Sequence, residues 1–293
     1  MRITLKQLQV FVKTAQANSL TRGAEACHIT QAAASMSLLQ LEQHLGVPLF
    51  DRIGKRLQLN ANGHTLLPKA INLLDQAREC ESLLSSDGLP LNGTLNIAAS
   101  TTIANYVLPI YLAGFKKNYP DVSFNLVIGN TEEIVNQVKT LQCDIGFIEG
   151  VCQESVINQA IWKDDSLAII CRRNHPLSKK KMVKKKDLLA YSWVVREPGS
   201  GTREVFERAT TLHQELSVDI TLNSSSAILN YVANSDCLAY LSHTMLNSKI
   251  NPKEICQLQV DELTLKRHFY QLTHQDKYQS QLCSNFLACV SPT

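Results

Sequence analysis

Several features that mark other classes of protein are missing from this sequence. No apolar run approaches the ~18 residues that a membrane-spanning helix requires. Residues 1–4 lead directly into an amphipathic pattern rather than into the apolar stretch of a signal peptide. We therefore expect a cytoplasmic protein without a membrane partner. The 293 residues, 44% of them hydrophobic, are enough for two domains with separate cores.

The sequence also lacks the common patterns of catalytic and metal sites. The segment Pro198-Gly199-Ser200-Gly201 does not provide the G-x-S-x-G motif of an esterase, and the eight histidines show no metal-ligand spacing. The nine cysteines form no C-x-x-C pair; several lie in apolar runs and are interpreted mainly as reduced, buried thiols. We expect no enzyme activity, no metal and no other cofactor.

Positive charge is concentrated near the N-terminus. Residues 1–62 contain seven Lys or Arg against three Asp or Glu, an excess of four positive charges, whereas the whole chain has a net charge of +3. The remainder is therefore close to neutral. A basic N-terminal part is typical of proteins that bind nucleic acid.

Two helices separated by a short turn are predicted within this basic part. Residues 20–27 indicate a short helix capped by Thr21, and residues 28–30 form the turn. Thr30 then caps a second helix without Gly or Pro. Its two faces differ: Ala33, Ala34, Leu38 and Leu41 form the apolar one, and Gln31, Ser35 and Ser37 the polar one. The pattern predicts a helix-turn-helix whose second helix enters the major groove of DNA.

A hairpin around Gly54 is predicted to follow, with cations at its tip that lie along DNA phosphates as a wing. The recognition helix contains no Lys or Arg, so we expect specificity from Gln and Ser contacts, from thymine methyl groups and from DNA shape. The candidate DNA-binding residues are Arg22, Thr30, Gln31, Ala32, Ser35, Met36, Arg52, Lys55 and Arg56.

Motifs in the first 63 residues resemble those of the LysR-type transcriptional regulators. They are Leu5-Lys6-Gln7-Leu8-Gln9-Val10-Phe11, Ala24-Glu25, Gln31 with Ser35, Leu41-Glu42, Leu45-Gly46-Val47-Pro48-Leu49-Phe50-Asp51-Arg52, and Leu59-Asn60 before Gly63. The resemblance covers all 293 residues. It implies binding to double-stranded DNA at an inverted-repeat operator, assembly into a homodimer or homotetramer, and contact with RNA polymerase. Met36 departs from the longer polar or cationic residue of many relatives.

A long helix is predicted from residue 65 to about residue 85. A seam of residues recurs along it at a spacing of three or four, which suits pairing with a helix of another subunit. The alternative is that the seam is buried against its own domain. The residues of the seam are Leu67, Ala70 or Ile71, Leu74, Ala77 or Arg78, Glu81 and Leu84. The predicted domains are a winged helix-turn-helix, a linker and dimerisation helix, and an effector-binding domain, at residues 1–62, 63–87 and 88–293.

Strands and helices alternate beyond residue 88, which predicts parallel α/β sheets. The predicted strands are 94–99, 123–128, 145–148, 166–171, 192–195, 218–222, 237–241 and 268–273. They suggest two α/β subdomains that resemble periplasmic binding proteins, with the last strand and helix returning to the first subdomain. The expected subdomains are 88–163 with 266–293, and 164–265.

Three stretches that follow strands are expected to line a cleft between the subdomains. Hydroxyls and free backbone amides at such positions can bind an anion, although each stretch could equally be an ordinary cap or turn. Arg196 is the candidate counter-charge, unless it pairs with Glu149 or Glu197. The candidate effector-binding residues are Ser100, Thr101, Thr102, Asn130, Thr131, Glu149, Arg196, Gly199, Ser200, Gly201 and Thr202.

The same stretches resemble the YeiE-, CysB- and CbbR-like branch of the family. This resemblance implies a small anionic effector. It does not decide whether the effector contains sulfur or is phosphorylated. Two alternatives remain. One is an effector-independent DNA-binding protein; the other is a redox-sensing regulator, since some members of the family sense oxidants through a cysteine pair. The pairs nearest in sequence are Cys143 with Cys152, and Cys283 with Cys289.

Overall fold

The computed structural model describes residues 2–53, 56–83, 91–248, 254–261 and 263–291. The predicted wing residue Lys55, Leu84 of the predicted dimer seam and the rest of the linker up to residue 90 lie outside the described residues. None of the helices in the described ranges has the length and apolar character needed to cross a membrane.

The N-terminal part is a helix-turn-helix followed by a two-stranded antiparallel hairpin. Its elements are α1 (Leu5–Ala17), α2 (Leu20–Ala26), α3 (Gln31–Leu45), β1 (Phe50–Ile53) and β2 (Arg56–Leu59). Thr30 caps α3 as predicted, because its Oγ1 accepts a hydrogen bond from the amide of Ala33 at 3.2 Å. The cap of α2 is Ser19 rather than the predicted Thr21, since the helix begins at Leu20. Gly46 ends α3 with a φ of +73°, a conformation that glycine adopts without strain.

The long helix α4 (Ala61–Leu83) packs on α1 of its own chain. Leu67, Ala70, Ile71 and Leu74 are buried in the N-terminal core. These four residues are therefore buried within the chain itself, and pairing of α4 with another subunit stays a prediction for the rest of the helix. Burial against the chain's own domain, the alternative, explains this part of the stripe.

The first half of the C-terminal part is a sheet covered by helices. Its elements are β3 (Gly93–Ser100), α5 (Thr101–Tyr106), α6 (Leu108–Asn118), β4 (Val122–Gly129), α7 (Thr131–Lys139) and β5 (Ile145–Glu149). Strand β3 pairs in parallel with β4 and with β5, as the alternating pattern predicts. The helix predicted after β3 divides at Val107, two residues before Pro109, because proline restricts the backbone that precedes it.

The second half contains β6 to β10 and four helices. Its elements are β6 (Ile157–Arg172), α8 (Lys185–Leu188), β7 (Ser192–Arg196), α9 (Gly201–Ala209), β8 (Ser217–Leu222), α10 (Ser225–Ala233), β9 (Ala239–Ser242), α11 (His243–Leu246) and β10 (Ile255–Leu258). Only β7 and β8 form a parallel pair of described strands in this half; β6 pairs antiparallel with β9 and with β10. The predicted parallel pairing thus holds for β7 with β8, and an isolated parallel bridge joins Trp193 of β7 to Leu238 just before β9. It is wrong for β6, whose partners run antiparallel to it. Helix α9 ends at Ala209, and a 3₁₀ turn (Thr211–Gln214) follows it.

Strand β11 (Lys266–His274) and helix α12 (Gln281–Val290) return the chain to the first half. Strand β11 pairs antiparallel with β5 on one side and with β6 on the other, so β6 and β11 run through both halves. Phe286 of α12 is fully buried in the core of the first half. The fold is thus an N-terminal winged helix-turn-helix and an effector-type α/β domain of two subdomains joined by β6 and β11.

Candidate recognition helix and effector cleft

Helix α3 presents the predicted DNA-contacting residues on one exposed surface. Gln31, Ala32, Ser35 and Met36 are all exposed, and 64% of the Met36 surface is accessible to solvent. The opposite face carries Ala34, Leu38 and Leu41, which are buried in the N-terminal core. The short side chains of the exposed face allow the backbone of α3 to approach another surface closely.

Further predicted contacts flank α3. Thr30 precedes it, and Arg22 of α2 is exposed. In the hairpin, Arg52 pairs with Leu57 and Ile53 with Arg56, so the backbones of both arginines lie near the tip. Lys55 lies between them, outside the described residues. The hairpin that follows α3 in the chain therefore has the two-stranded form expected of a wing.

The predicted cleft residues come together where β3, β5, α7 and α9 begin or end. Ser100, Thr102, Thr131, Ser200 and Thr202 are all buried. Ser100 and Thr102 belong to the first subdomain, whereas Ser200 and Thr202 belong to the second. The described cleft is therefore a polar layer enclosed between the two subdomains.

Glu149, at the end of β5, lies at the centre of this layer. Its carboxylate accepts hydrogen bonds from Ser100 Oγ at 3.1 Å, Thr202 Oγ1 at 2.7 Å and Arg267 Nη1 at 2.8 Å. Its backbone carbonyl accepts a fourth from Thr131 Oγ1 at 3.2 Å. One buried carboxylate thus joins side chains of both subdomains and of the strand that connects them.

The ionised form of Glu149 is strongly favoured. Burial on its own would raise the pKa of this carboxyl, but the charge of Arg267 and hydrogen bonds from Thr102 and Thr202 outweigh that effect and lower the pKa from 4.5 to about 2. Glu149 therefore carries a full negative charge at neutral pH.

Arg267 was not identified from the sequence. Its guanidinium is buried and bridges Glu149 and Asp165, with Nε 2.7 Å from Asp165 Oδ2. A sequence pattern could have identified it. Leu265, Arg267 and Phe269 follow one another at a spacing of two, so Arg267 is on the same buried face of the strand as the two apolar residues. A cation on the inward face of a strand indicates a buried ionic partner.

Two donors in this layer have no hydrogen-bond partner among the described residues. They are Ser200 Oγ and Arg267 Nη2. Ser200 is the N-cap residue of α9, and its side chain does not cap the helix. The amides of the first turn of α9 are therefore left without a side-chain acceptor from the cap.

Backbone contacts hold the two subdomains together at the cleft. The amide of Glu132 donates to the carbonyl of Gly199 across the cleft at 3.2 Å. Gly199 has a φ of +80°, and a Cβ added at Gly201 would lie 2.0 Å from the carbonyl oxygen of Glu149. Only glycine fits at residue 201 in this closed arrangement.

The remaining predicted cleft residues have partners within the chain. Arg196 makes two hydrogen bonds to the carboxylate of Glu197, at 2.7 and 2.8 Å, and a third to Ser225. Of the alternatives considered for Arg196, pairing with Glu197 is the one observed. Asn130 caps α7, and Thr101 Oγ1 donates to the carbonyl of Gly129. Within the described ranges, no three His, Cys, Asp or Glu side chains are grouped so that they could hold a metal ion.

Two family models match the chain, and together they span nearly all of it. Residues 5–64 match the bacterial regulatory helix-turn-helix protein, lysR family, and residues 89–292 match the LysR substrate binding domain. The HTH-type transcriptional regulator YeiE of Escherichia coli K12 is 34% identical over 293 residues, covering 100% of this chain and 98% of YeiE.

Solved structures agree with the fold. A full-length OxyR variant from Pseudomonas aeruginosa aligns with a TM-score of 0.76 at 20% identity, covering 99% of this chain and 95% of OxyR. The regulatory domain of CcmR from Synechocystis PCC6803, in complex with 2-PG, aligns with a TM-score of 0.63 at 28% identity, covering 68% of this chain and 96% of that domain. The chain belongs to the LysR family of transcriptional regulators, with an N-terminal helix-turn-helix and a C-terminal effector-binding domain.

Proposed function

We propose that this regulator responds to a small oxyanion bound between its two subdomains, and that the bound anion alters its contacts with operator DNA. The observation that carries the proposal is the pair of buried donors, Ser200 Oγ and Arg267 Nη2, that have no partner among the described residues. A buried donor without an acceptor costs about 1–3 kcal/mol. An oxyanion that accepts from both groups would remove this cost.

The charge of Glu149 restricts the kind of anion. Because Glu149 is ionised and buried, a second negative charge beside it is repelled unless donors lie between the two. Arg267 contacts Glu149 through Nη1 and leaves Nη2 for another acceptor. The proposed effector therefore combines acceptor oxygens with a proton or hydroxyl that can be donated to Glu149, as in hydrogen phosphate, bisulfite or a hydroxy acid.

A relative supports an effector of this chemistry. The CcmR regulatory domain was solved with 2-phosphoglycolate, a phosphorylated acid, and it is 28% identical to this chain. We include that compound among the anions to be tested, together with sulfite, sulfate, thiosulfate and phosphate. The sulfur anions follow from the resemblance to the sulfur-metabolism branch of the family.

Thermal unfolding of the full chain with each anion, at constant ionic strength, tests the proposal. An anion at one hundred times its dissociation constant should stabilise the protein by about 2.7 kcal/mol. Ser200→Ala should abolish most of this shift without lowering the stability of the anion-free protein, because the hydroxyl has no partner there among the described residues. Ser284→Ala, an exposed site on α12, is the matched control.

Each result decides between the candidate functions. A shift that Ser200→Ala removes and Ser284→Ala retains supports an oxyanion in the cleft. A shift that both variants retain places the anion elsewhere and overturns the proposed site. If no anion shifts the unfolding temperature, the oxyanion is rejected, and a regulator that binds its operator regardless of small molecules becomes the favoured account.

For the DNA, we propose an inverted-repeat operator contacted by α3 from two subunits. Gln31 and Ser35 would donate to or accept from base edges, and Ala32 and Met36 would contact thymine methyl groups. Salt-dependent affinity would come from cations on phosphates: Arg22, Arg52, Lys55 and Arg56. RNA polymerase is the expected protein partner at the promoter.

An exposed sheet edge supports assembly of several copies of the chain. Strand β4 is the last strand of its sheet, and Val127 and Ile128 on it are 46% and 49% exposed. An exposed apolar edge strand normally pairs with or is covered by another surface. We propose that a second copy covers β4 in a homodimer or homotetramer. This assembly would present two recognition helices to the two halves of the operator.

A further inference from the structure

Two cysteines of the second subdomain face each other across neighbouring strands. Cys171 of β6 and Cys256 of β10 are register partners in an antiparallel pair. Residues opposed in this way project their side chains from the same face of the sheet. The two positions are 85 residues apart in the sequence, so no local motif links them.

The separation of such partners suits a disulfide. Facing residues of antiparallel strands have Cα atoms about 4.5–5.5 Å apart, and disulfides span roughly 4.4–6.8 Å between Cα atoms. Cys256 also packs against the hydrophobic cluster that contains Cys171. A bond between them therefore needs side-chain rotation and no change of strand register.

The cysteines that are nearest in sequence are far less suitable. Cys283 and Cys289 lie six residues apart on α12, which separates them by about 9 Å along the helix axis. Cys143 and Cys152 flank the two ends of β5 (Ile145–Glu149), which spans about 13 Å. Both separations exceed the ~7 Å limit for bridged Cα atoms. Neither pair considered in the sequence analysis can close without rearrangement of the backbone.

The two thiols of the facing pair differ in accessibility. Cys256 is partly exposed on β10, which is the edge strand of the sheet, whereas Cys171 is fully buried. Burial raises the pKa of Cys171 to about 12, so this thiol is protonated and is a poor initial nucleophile. An oxidant from solvent therefore reaches Cys256 first.

We propose that Cys171 and Cys256 form a reversible disulfide when the protein meets a hydroperoxide. The Cys256 thiol attacks the peroxide, which leaves Cys256 as a sulfenic acid and releases an alcohol, or water from hydrogen peroxide. The Cys171 thiol then displaces the sulfenic oxygen as water and closes the disulfide. The peroxide takes up the two electrons that the two thiols lose. The link fastens the edge strand β10 to β6, the strand that also carries Asp165 beside the cleft.

Peptide mapping of the reduced full-length protein tests this proposal. The protein is treated with hydrogen peroxide until the exposed Cys80 and Cys289 are oxidised, then alkylated and digested for mass spectrometry. The expected product is a peptide pair linked through Cys171 and Cys256 that dithiothreitol separates. The linked protein should also unfold at a temperature several degrees higher, since the bond closes a long loop.

Variants make the test specific. Cys171→Ser should abolish the link and leave a sulfenic acid at Cys256 that dimedone labels. Cys283→Ser removes an equally buried thiol and should leave the link intact, which controls for general loosening of the fold. Absence of the linked peptide while Cys80 and Cys289 are oxidised would overturn the proposal. Disulfides of Cys256 between subunits only, or a pairing of Cys171 with another cysteine, would overturn it as well.

Discussion

At the scale of single residues, Glu149 controls how the two subdomains meet. Its carboxylate accepts hydrogen bonds from Ser100 of the first subdomain, from Thr202 of the second, and from Arg267 of the connecting strand β11. A buried charge that loses its partners costs about 3–5 kcal/mol. The closed cleft and the ionised carboxylate therefore stabilise each other. Separating the subdomains would remove hydrogen-bond donors from the buried carboxylate of Glu149.

This arrangement predicts a loss of stability in acid. The pKa of Glu149 falls from 4.5 to about 2 on folding, so between these values the unfolded chain binds a proton that the folded chain does not. The free energy of unfolding must then decrease as the pH falls through this window, by a total of about 3 kcal/mol for this group. Urea unfolding of the wild type and of Glu149→Gln from about pH 6 to pH 3 measures the effect.

The comparison with Glu149→Gln isolates this carboxyl from the others. At neutral pH the variant should be less stable, because Arg267 loses a charged partner. As the pH falls, the difference between the two proteins should narrow, since protonated Glu149 resembles glutamine. A difference that stays constant over the whole range would show that Glu149 keeps its ordinary pKa.

At the scale of elements, α3 combines a buried apolar face with an exposed face that carries no cation. We expect Gln31→Ala to lower the affinity for the operator by about 1–3 kcal/mol, the usual value of a base-specific contact. Binding to unrelated DNA should change little, because phosphate contacts supply most of it. Fluorescence anisotropy with operator and scrambled duplexes at fixed salt measures both. An equal loss on the two duplexes would assign Gln31 to the phosphates.

Helix α4 offers a test of its packing within one chain. Leu74 is buried in the N-terminal core, whereas the neighbouring Leu73 is 50% exposed. Leu74→Ala should lower the free energy of unfolding by about 2–5 kcal/mol, as for other buried leucines. Leu73→Ala should have a small effect on the unfolding of a single chain, measured by urea titration at low protein concentration. A larger effect for Leu73 than for Leu74 would contradict the packing of α4 within one chain and would indicate that the helix packs on another subunit.

Local patterns were sufficient for some elements and insufficient for others. The Thr30 cap and the two faces of α3 depend on residues within one helix, so the sequence predicts them well. The first half of β6 was missed because residues 157–165 show neither the polar-apolar alternation nor the long apolar run of a strand: a polar pair separates Ile157 from the apolar residues 160–162, and a polar triplet follows them. Arg267 was missed because its partner Asp165 is 102 residues away in the sequence. Contacts of this range depend on the packing of the whole domain.

At the scale of the whole molecule, the loop after β11 connects the effector domain to α4. Asn72 of α4 donates to the carbonyl of Asp276 at 2.6 Å and accepts from the amide of Tyr278 at 2.7 Å. Leu141, with a φ of +58°, is buried in the N-terminal core although it belongs to the first subdomain. The strand that carries Arg267 therefore leads directly to a contact with the DNA-binding part. This continuity suggests a physical route from the cleft to DNA, which requires a coupling measurement.

We expect Asn72→Ala to weaken the coupling between effector and operator more than it weakens either binding event. Loss of a contact on such a route changes coupling by about 0.5–2 kcal/mol, or roughly two- to thirty-fold in the ratio of operator affinities with and without the active anion. The amide of Tyr278 should also exchange its hydrogen faster, because its acceptor Asn72 Oδ1 is lost. Asn62→Ala is the matched control, since Asn62 also lies on α4 but donates to Pro48 within the N-terminal part. If Asn72→Ala speeds exchange at Tyr278 and leaves the affinity ratio unchanged, this contact is structural and the coupling runs elsewhere.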